Sequence, residues 1–182
     1  MNNIQIDRRA FIRCTGLICS AAAAIGAKSV VADDTNVRSL SFVHTHTGEK
    51  LAATYWKDGE YQRKVLQQVN HLLRDFRTNE VHTMDPALLD LLFALRTKVG
   101  SESAFHVISA YRSPQTNEML RRSSRGVAEH SMHMLGKAID VRLESFPTER
   151  LAEAARALRR GGVGYYRASD FVHVDTGRVR YW

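Results

Sequence analysis

Apolar-rich segments at Val37–Val43 and Leu51–Trp56 flank a polar run, His44-Thr45-His46-Thr47-Gly48-Glu49, in which Gly48 supports a turn, so the pattern predicts a β-hairpin. Val65, Val69, Leu72, Leu73 and Phe76 then recur at i, i+4, i+7, i+8 and i+11, one stripe of an amphipathic helix that leaves Arg63, Lys64, Arg74 and Asp75 near water. A second helix starts at Asp85-Pro86, a good N-cap followed by the residue best suited to the first helical position. Leu88, Leu89, Leu91, Leu92 and Leu95 give it a broad buried face until Gly100.

Phe105–Tyr111 reads as a strand, and Ser113-Pro114 opens a short helix through Leu120 by the same cap-and-proline logic, with Arg112 at the junction. A basic loop from Arg121 to Arg125 precedes a strand at Ala138–Leu143. Leu151, Ala155 and Leu158 mark a helix from about Pro147 to Arg160, stopped by Gly161-Gly162, and Val163–Tyr166 and Phe171–Val174 are short strands around a turn. The expected architecture is α+β: a small, mainly antiparallel sheet with helices packed on one side.

The first 32 residues break this pattern. Arg8-Arg9 precedes a short apolar, Ala-rich run to Ala27, with Val30-Val31-Ala32 after it, the layout of a twin-arginine signal peptide, and the run is too short for a membrane span. The expected organisation is a leader over 1–32 and one exported domain over 33–182, in the periplasm, with no membrane span in the mature protein. Cys14 and Cys19 both fall in the leader, and Cys19 lacks the small residue directly before it that a lipid-anchoring signal needs. The mature chain has no cysteine, and a domain of this size does not need disulfides.

Charge matters less than it first suggests. The full chain carries 26 Lys and Arg against 19 Asp and Glu, a net of +7. Arg8, Arg9, Arg13 and Lys28 leave with the leader and take only Asp7, so 22 basic and 18 acidic residues remain, a net of +4. That balance, with no aromatic residues interleaved in a basic run, argues against nucleic acid as a partner and is compatible with an anionic polymer.

One constellation carries chemistry. Ser131-Met132-His133-Met134-Leu135-Gly136-Lys137-Ala138-Ile139-Asp140 puts a histidine on a loop and an aspartate on the strand that the loop feeds. Downstream, Phe171-Val172-His173-Val174-Asp175 offers a second imidazole on a strand, with His173 and Asp175 on one face. Two imidazoles and a carboxylate suit zinc, and three protein ligands leave a fourth position open, the mark of a catalytic site. Spacing alone does not decide between this and buried, hydrogen-bonded histidines. Of the remaining histidines, His44 and His46 read as surface residues at the hairpin end. His71, His82 and His106 have no evident partners, and His130 stands near His133 as a residue for orienting substrate or a solvated loop residue.

The pattern Ser-x-His-x-x-Gly-x-Ala-x-Asp followed by a late His resembles the motif set of the D-alanyl-D-alanine metallopeptidases and their murein endopeptidase relatives, a group related in fold to the hedgehog signalling domain. The likeness extends over the whole chain, from the leader through Ser109-Ala110-Tyr111-Arg112-Ser113 and Gly161–Tyr166 to Tyr181-Trp182. The resemblance implies one zinc per chain on His133, Asp140 and His173, with Asp170 as general base and Arg112 stabilising the oxyanion. Many relatives carry Glu at the base position, and Asp175 is the competing carboxylate. The implied activity is hydrolysis of peptidoglycan cross-links, of the 3-3 diaminopimelate kind. The alternatives are a noncatalytic wall-binding module and a D-alanyl-D-alanine carboxypeptidase or dipeptidase of the same group.

Overall fold

A computed structural model of the chain describes residues 36–182 apart from Arg125. The leader and the boundary after Ala32 lie outside the described residues. Strands β1 (Val37–His44), β2 (Lys50–Lys57) and β3 (Glu60–Tyr61) lead into helices α1 (Arg63–Leu72) and α2 (Pro86–Val99). Strand β4 (Phe105–Ser109) and helix α3 (Pro114–Ser123) follow. Then come β5 (Ala138–Leu143), α4 (Thr148–Leu158), β6 (Gly162–Tyr166), β7 (Phe171–Asp175) and β8 (Arg180–Tyr181).

The strands form one mixed sheet in the order β3-β2-β1-β4-β5-β7-β6-β8. Its pairings are antiparallel except β1 with β4 and β6 with β8. The α+β expectation holds, with α1, α2 and α4 packed on the sheet.

Alternation along each strand separates the two faces. Leu40 and Phe42 of β1, Val141 and Leu143 of β5, and Val172 and Val174 of β7 join Leu88, Leu89, Leu92 and Leu95 of α2 and Leu151 of α4 in one buried cluster. Each fully buried Leu stabilises by about 1.5–3 kcal/mol relative to exposure. This layer contains none of the candidate site residues.

Helix α2 starts and stops as its sequence predicts. Asp85 accepts a hydrogen bond from Ala87 N at 2.9 Å, Pro86 follows, and Gly100 closes the helix at φ 64°. Two expectations shift. Helix α1 ends at Leu72 rather than running to Phe76, because Asp75 leaves the helix to bridge Glu80. Helix α4 ends on Arg159 in the left-handed region, and Gly162 belongs to β6.

The opposite face of β5 and β7 carries the polar residues. Asp140 lies directly across the ladder from His173, and Ala138 from Asp175.

Candidate active site

The motif that carries His133 is a short 3-10 turn, Met132–Leu135, and each small or polar residue in it has a structural task. Ser131 caps the turn, its Oγ accepting from His133 N at 3.3 Å. Gly136 ends it at φ 64°, with its backbone against Thr83. A Cβ at residue 136 would stand 2.3 Å from Thr83 O, so both the dihedral and the contact require glycine. Asp85 fixes the turn from outside: its N–H donates to Gly136 O at 2.9 Å, and its carboxylate accepts from Thr176 Oγ1 at 2.8 Å, beyond the end of β7. The cap of α2 therefore holds the loop that bears one candidate ligand against the strand that bears another.

Three donor atoms converge. Nε2 of His133, Nδ1 of His173 and Oδ1 of Asp140 form a triangle with edges of 3.2, 3.3 and 2.9 Å. Bonds of about 2.0–2.2 Å to one tetrahedral ion place its ligand atoms about 3.3 Å apart, so the triangle fits a single metal. His133, Asp140 and His173 are all buried, and among the described residues they are the one His, Cys, Asp and Glu group with ligand atoms so gathered.

The atoms behind the triangle also fit a metal. The second ring nitrogen of His133 meets Ala110 O at 2.6 Å, and that of His173 meets Asp175 Oδ2 at 3.0 Å. Each contact makes the outer nitrogen the donor and leaves the inner one with a free lone pair, the tautomer a metal needs. Burial alone would push the Asp140 carboxyl up, but the two imidazoles, His133 foremost, hold it well below the usual carboxylate range.

Arg112 joins the site from the segment after β4. Its backbone N–H donates to His133 O at 3.3 Å, and its Nη2 stands 3.9 Å from Asp140 Oδ2. The guanidinium is 11% exposed, and its Nε has no hydrogen-bond partner among the described residues. Burial draws its pKa below the ordinary value, and Asp140 offsets part of that.

Asp170 is placed differently. It sits in the left-handed region at φ 50°, its carboxylate accepting from Thr148 Oγ1 and, at 3.5 Å, from Arg142 Nη1. The side chain is 61% exposed and is not among those that line the cleft of about 390 Å³ over the three ligands. Asp175 lies on the far side of the His173 ring from Nδ1, fully buried, so its carboxylate does not face the point where the donors converge.

The cleft has walls that the motif alone did not reveal. Tyr166, Phe171, Arg180 and Trp182 line it together with His130. The Trp182 ring centroid is 5.2 Å from that of His173, and its indole N–H donates to the Tyr166 hydroxyl at 3.0 Å. Period-two geometry from His173 marks Phe171 and Asp175 in the sequence. Tyr166 and Trp182 come from β6 and beyond β8, whose pairing has no local sequence signal.

The surface reading of His44 is corrected. It is 1% exposed, on the same inward face of β1 as Leu40 and Phe42, with its ring edge on Phe76 at 5.6 Å. His46 is exposed and stacks on Phe76 at 4.1 Å.

A family profile described as Peptidase_M15_2, Peptidoglycan L,D-endopeptidase MepK, matches residues 32–182. The chain belongs to the MepK family. Its match to the "Peptidoglycan L,D-endopeptidase MepK" of Escherichia coli (strain K12) is 36% identical over 182 residues and covers 100% of both chains. The "Probable peptidoglycan L,D-endopeptidase MepK" of Haemophilus influenzae is 38% identical over 183 residues, covering 100% of this chain and 98% of that one. Membership of the MepK family accords with the resemblance carried by the Ser131–Asp140 motif, and it accounts for the similarity over the full length.

Proposed function

We propose that this chain is a zinc-dependent peptidoglycan endopeptidase that cleaves the 3-3 diaminopimelate cross-links, working in the periplasm as the domain 33–182 after twin-arginine export. The convergence of His133 Nε2, His173 Nδ1 and Asp140 Oδ1 carries the reading. Two neutral imidazoles and one carboxylate, with no thiolate, favour zinc among common ions. The names of the family and of its relatives supply the substrate class and the L,D bond.

Zinc bound by these three residues would supply a Lewis acid that acidifies a water and polarises the scissile carbonyl. The remaining steps belong to the chain. Arg112, desolvated and with unused donors, favours the negative charge that develops on the carbonyl oxygen. Asp170 takes the proton of the attacking water and returns it to the leaving amine. To do so its carboxylate turns away from Thr148 and Arg142. The Arg142 contact is long and exposed, and a hydrogen bond to a charged group is worth about 1.5–3 kcal/mol, so that rotation costs less than a general base contributes. Tyr166 and Trp182 give the peptide an aromatic wall, and His130 lines the same cleft.

Digestion of purified sacculi, with and without chelator, tests the reading. The expected result is conversion of 3-3 cross-linked muropeptide dimers into monomers, abolished by chelator and restored by zinc. Binding to sacculi without cleavage would identify a wall-binding module. Release of single D-alanine without loss of dimers would identify a carboxypeptidase.

A further inference from the structure

The carboxylate behind His173 is held more firmly than an anchor for a turn requires. Asp175 Oδ1 accepts from Gly162 N at 3.2 Å, from Gly177 N at 2.8 Å and from Arg180 Nη1 at 3.0 Å. Those bonds would suffice to tie the end of β7 to β6 and to the following turn. Oδ2 does something else: it takes Arg180 Nη2 at 2.7 Å and faces His173 Nε2 at 3.0 Å. Asp175 is 0% exposed, so an uncompensated charge there would be costly, and the Arg180 fork meets both of its oxygens at once.

The backbone is shaped around this pair. Gly162 lies across from Arg180 in the parallel β6–β8 pairing. A Cβ at residue 162 would stand 2.4 Å from Asp175 Oδ2 and 2.5 Å from Arg180 Nη1, so the ion pair fills the space that any side chain there would need. Arg180 also lines the cleft, its guanidinium carbon 5.1 Å from the Trp182 ring centroid.

We propose that Arg180 and Asp175 are positioning residues of the metal centre, Arg180 gripping Asp175 so that Asp175 holds the His173 imidazole with Nδ1 aimed at the metal. The proposal rests on the metal-centre reading above. An ionised carboxylate at Nε2–H fixes the tautomer and ring angle and makes Nδ1 a better donor, and such outer partners are typically worth 10–100-fold in metal affinity. Lysine, a single point charge, does not reproduce the two-pronged grip.

The test is zinc affinity of the full exported domain, measured by competition with a chromogenic chelator, alongside thermal unfolding of the metal-free protein. Arg180→Met is expected to bind zinc about 10–100-fold more weakly, and Arg180→Lys to fall between it and wild type. Gly162→Ala is expected to weaken binding through the same pair, and exposed Arg178→Met to leave it unchanged. Wild-type zinc affinity in folded Arg180→Met and Arg180→Lys, with only the unfolding midpoint lowered, would overturn the proposal and leave the ligand set intact. Wild-type protein that binds zinc no better than His173→Ala would overturn the metal centre itself, and this inference with it.

Discussion

Arg112 Nη2 stands 3.9 Å from Asp140 Oδ2, the oxygen of that carboxylate that does not face the two imidazoles. One carboxylate thus has an oxygen for a metal and an oxygen beside a buried cation, which sets the guanidinium at the edge of the metal position. Arg112→Ala is expected to retain zinc by elemental analysis and to lose roughly 10²–10³ in the rate of muropeptide cleavage, the usual loss for one oxyanion donor. Loss of bound zinc in this variant would show Arg112 to be a support for Asp140 instead.

Substituting His133, Asp140 or His173 by Ala removes one of three donors and is expected to abolish stoichiometric zinc binding and cleavage together. The buried layer of α2, α4 and the opposite sheet face does not involve these residues, so the variants should keep the far-ultraviolet circular dichroism of wild type. A full zinc complement in His173→Ala would remove that residue from the ligand set.

Asp170→Asn should keep zinc and lose roughly two to four powers of ten in rate, the range for a positioned general base. Thr148→Ala frees the same carboxylate from its hydrogen-bonded rest position and is expected to leave turnover at or above that of wild type. Near-normal cleavage by Asp170→Asn, with a large loss in His130→Gln, would transfer the proton to the histidine that lines the cleft.

His44 gives the fold a pH dependence away from the site. Burial lowers its pKa, and its Nδ1 accepts from His46 N at 3.3 Å and Thr47 N at 3.4 Å, so a proton on that nitrogen would face two donors. Below the ordinary histidine value of about 6.5 the unfolded chain binds a proton that the folded chain refuses, and stability falls as pH falls. The difference between wild type and His44→Gln isolates this contribution. Urea midpoints from about pH 7.5 to about pH 5.5 should fall more steeply in wild type than in the variant. Parallel curves would exclude His44 as the source.

Export is tested apart from the fold. Replacing Arg8 and Arg9 by Lys should keep the full-length protein in the cytoplasm, read by fractionation and immunoblotting, because the leader's paired arginines are its proposed recognition element. Normal periplasmic levels would assign another route.

Where structure is local, the sequence announced it. Asp85-Pro86 with Gly100 delimits α2, and Ser131, His133, Gly136 and Asp140 are a cap, a candidate ligand, a left-handed stop and a candidate ligand on a strand in turn. What depends on distant pairing was not legible. The sheet order brings β8 beside β6, and only that parallel pairing delivers Arg180 to Asp175 and Trp182 to His173. His44 departs from its surface expectation for a related reason. The alternation Leu40, Phe42, His44 marks an inward face, but the neighbouring turn residues suggested water, and Phe76, which covers the ring, comes from a segment that leaves its helix.

Asp140 and His173 are 33 residues apart in the chain yet face each other across one rung of the β5–β7 ladder. Their separation is fixed by strand register, not by the length of what lies between. Helix α4 and the loops on either side of it are therefore set apart from that register, whereas β6 is not, because Gly162 packs on the Asp175–Arg180 pair and Gly164 pairs with His173. Those loops can gain or lose residues without moving either candidate ligand.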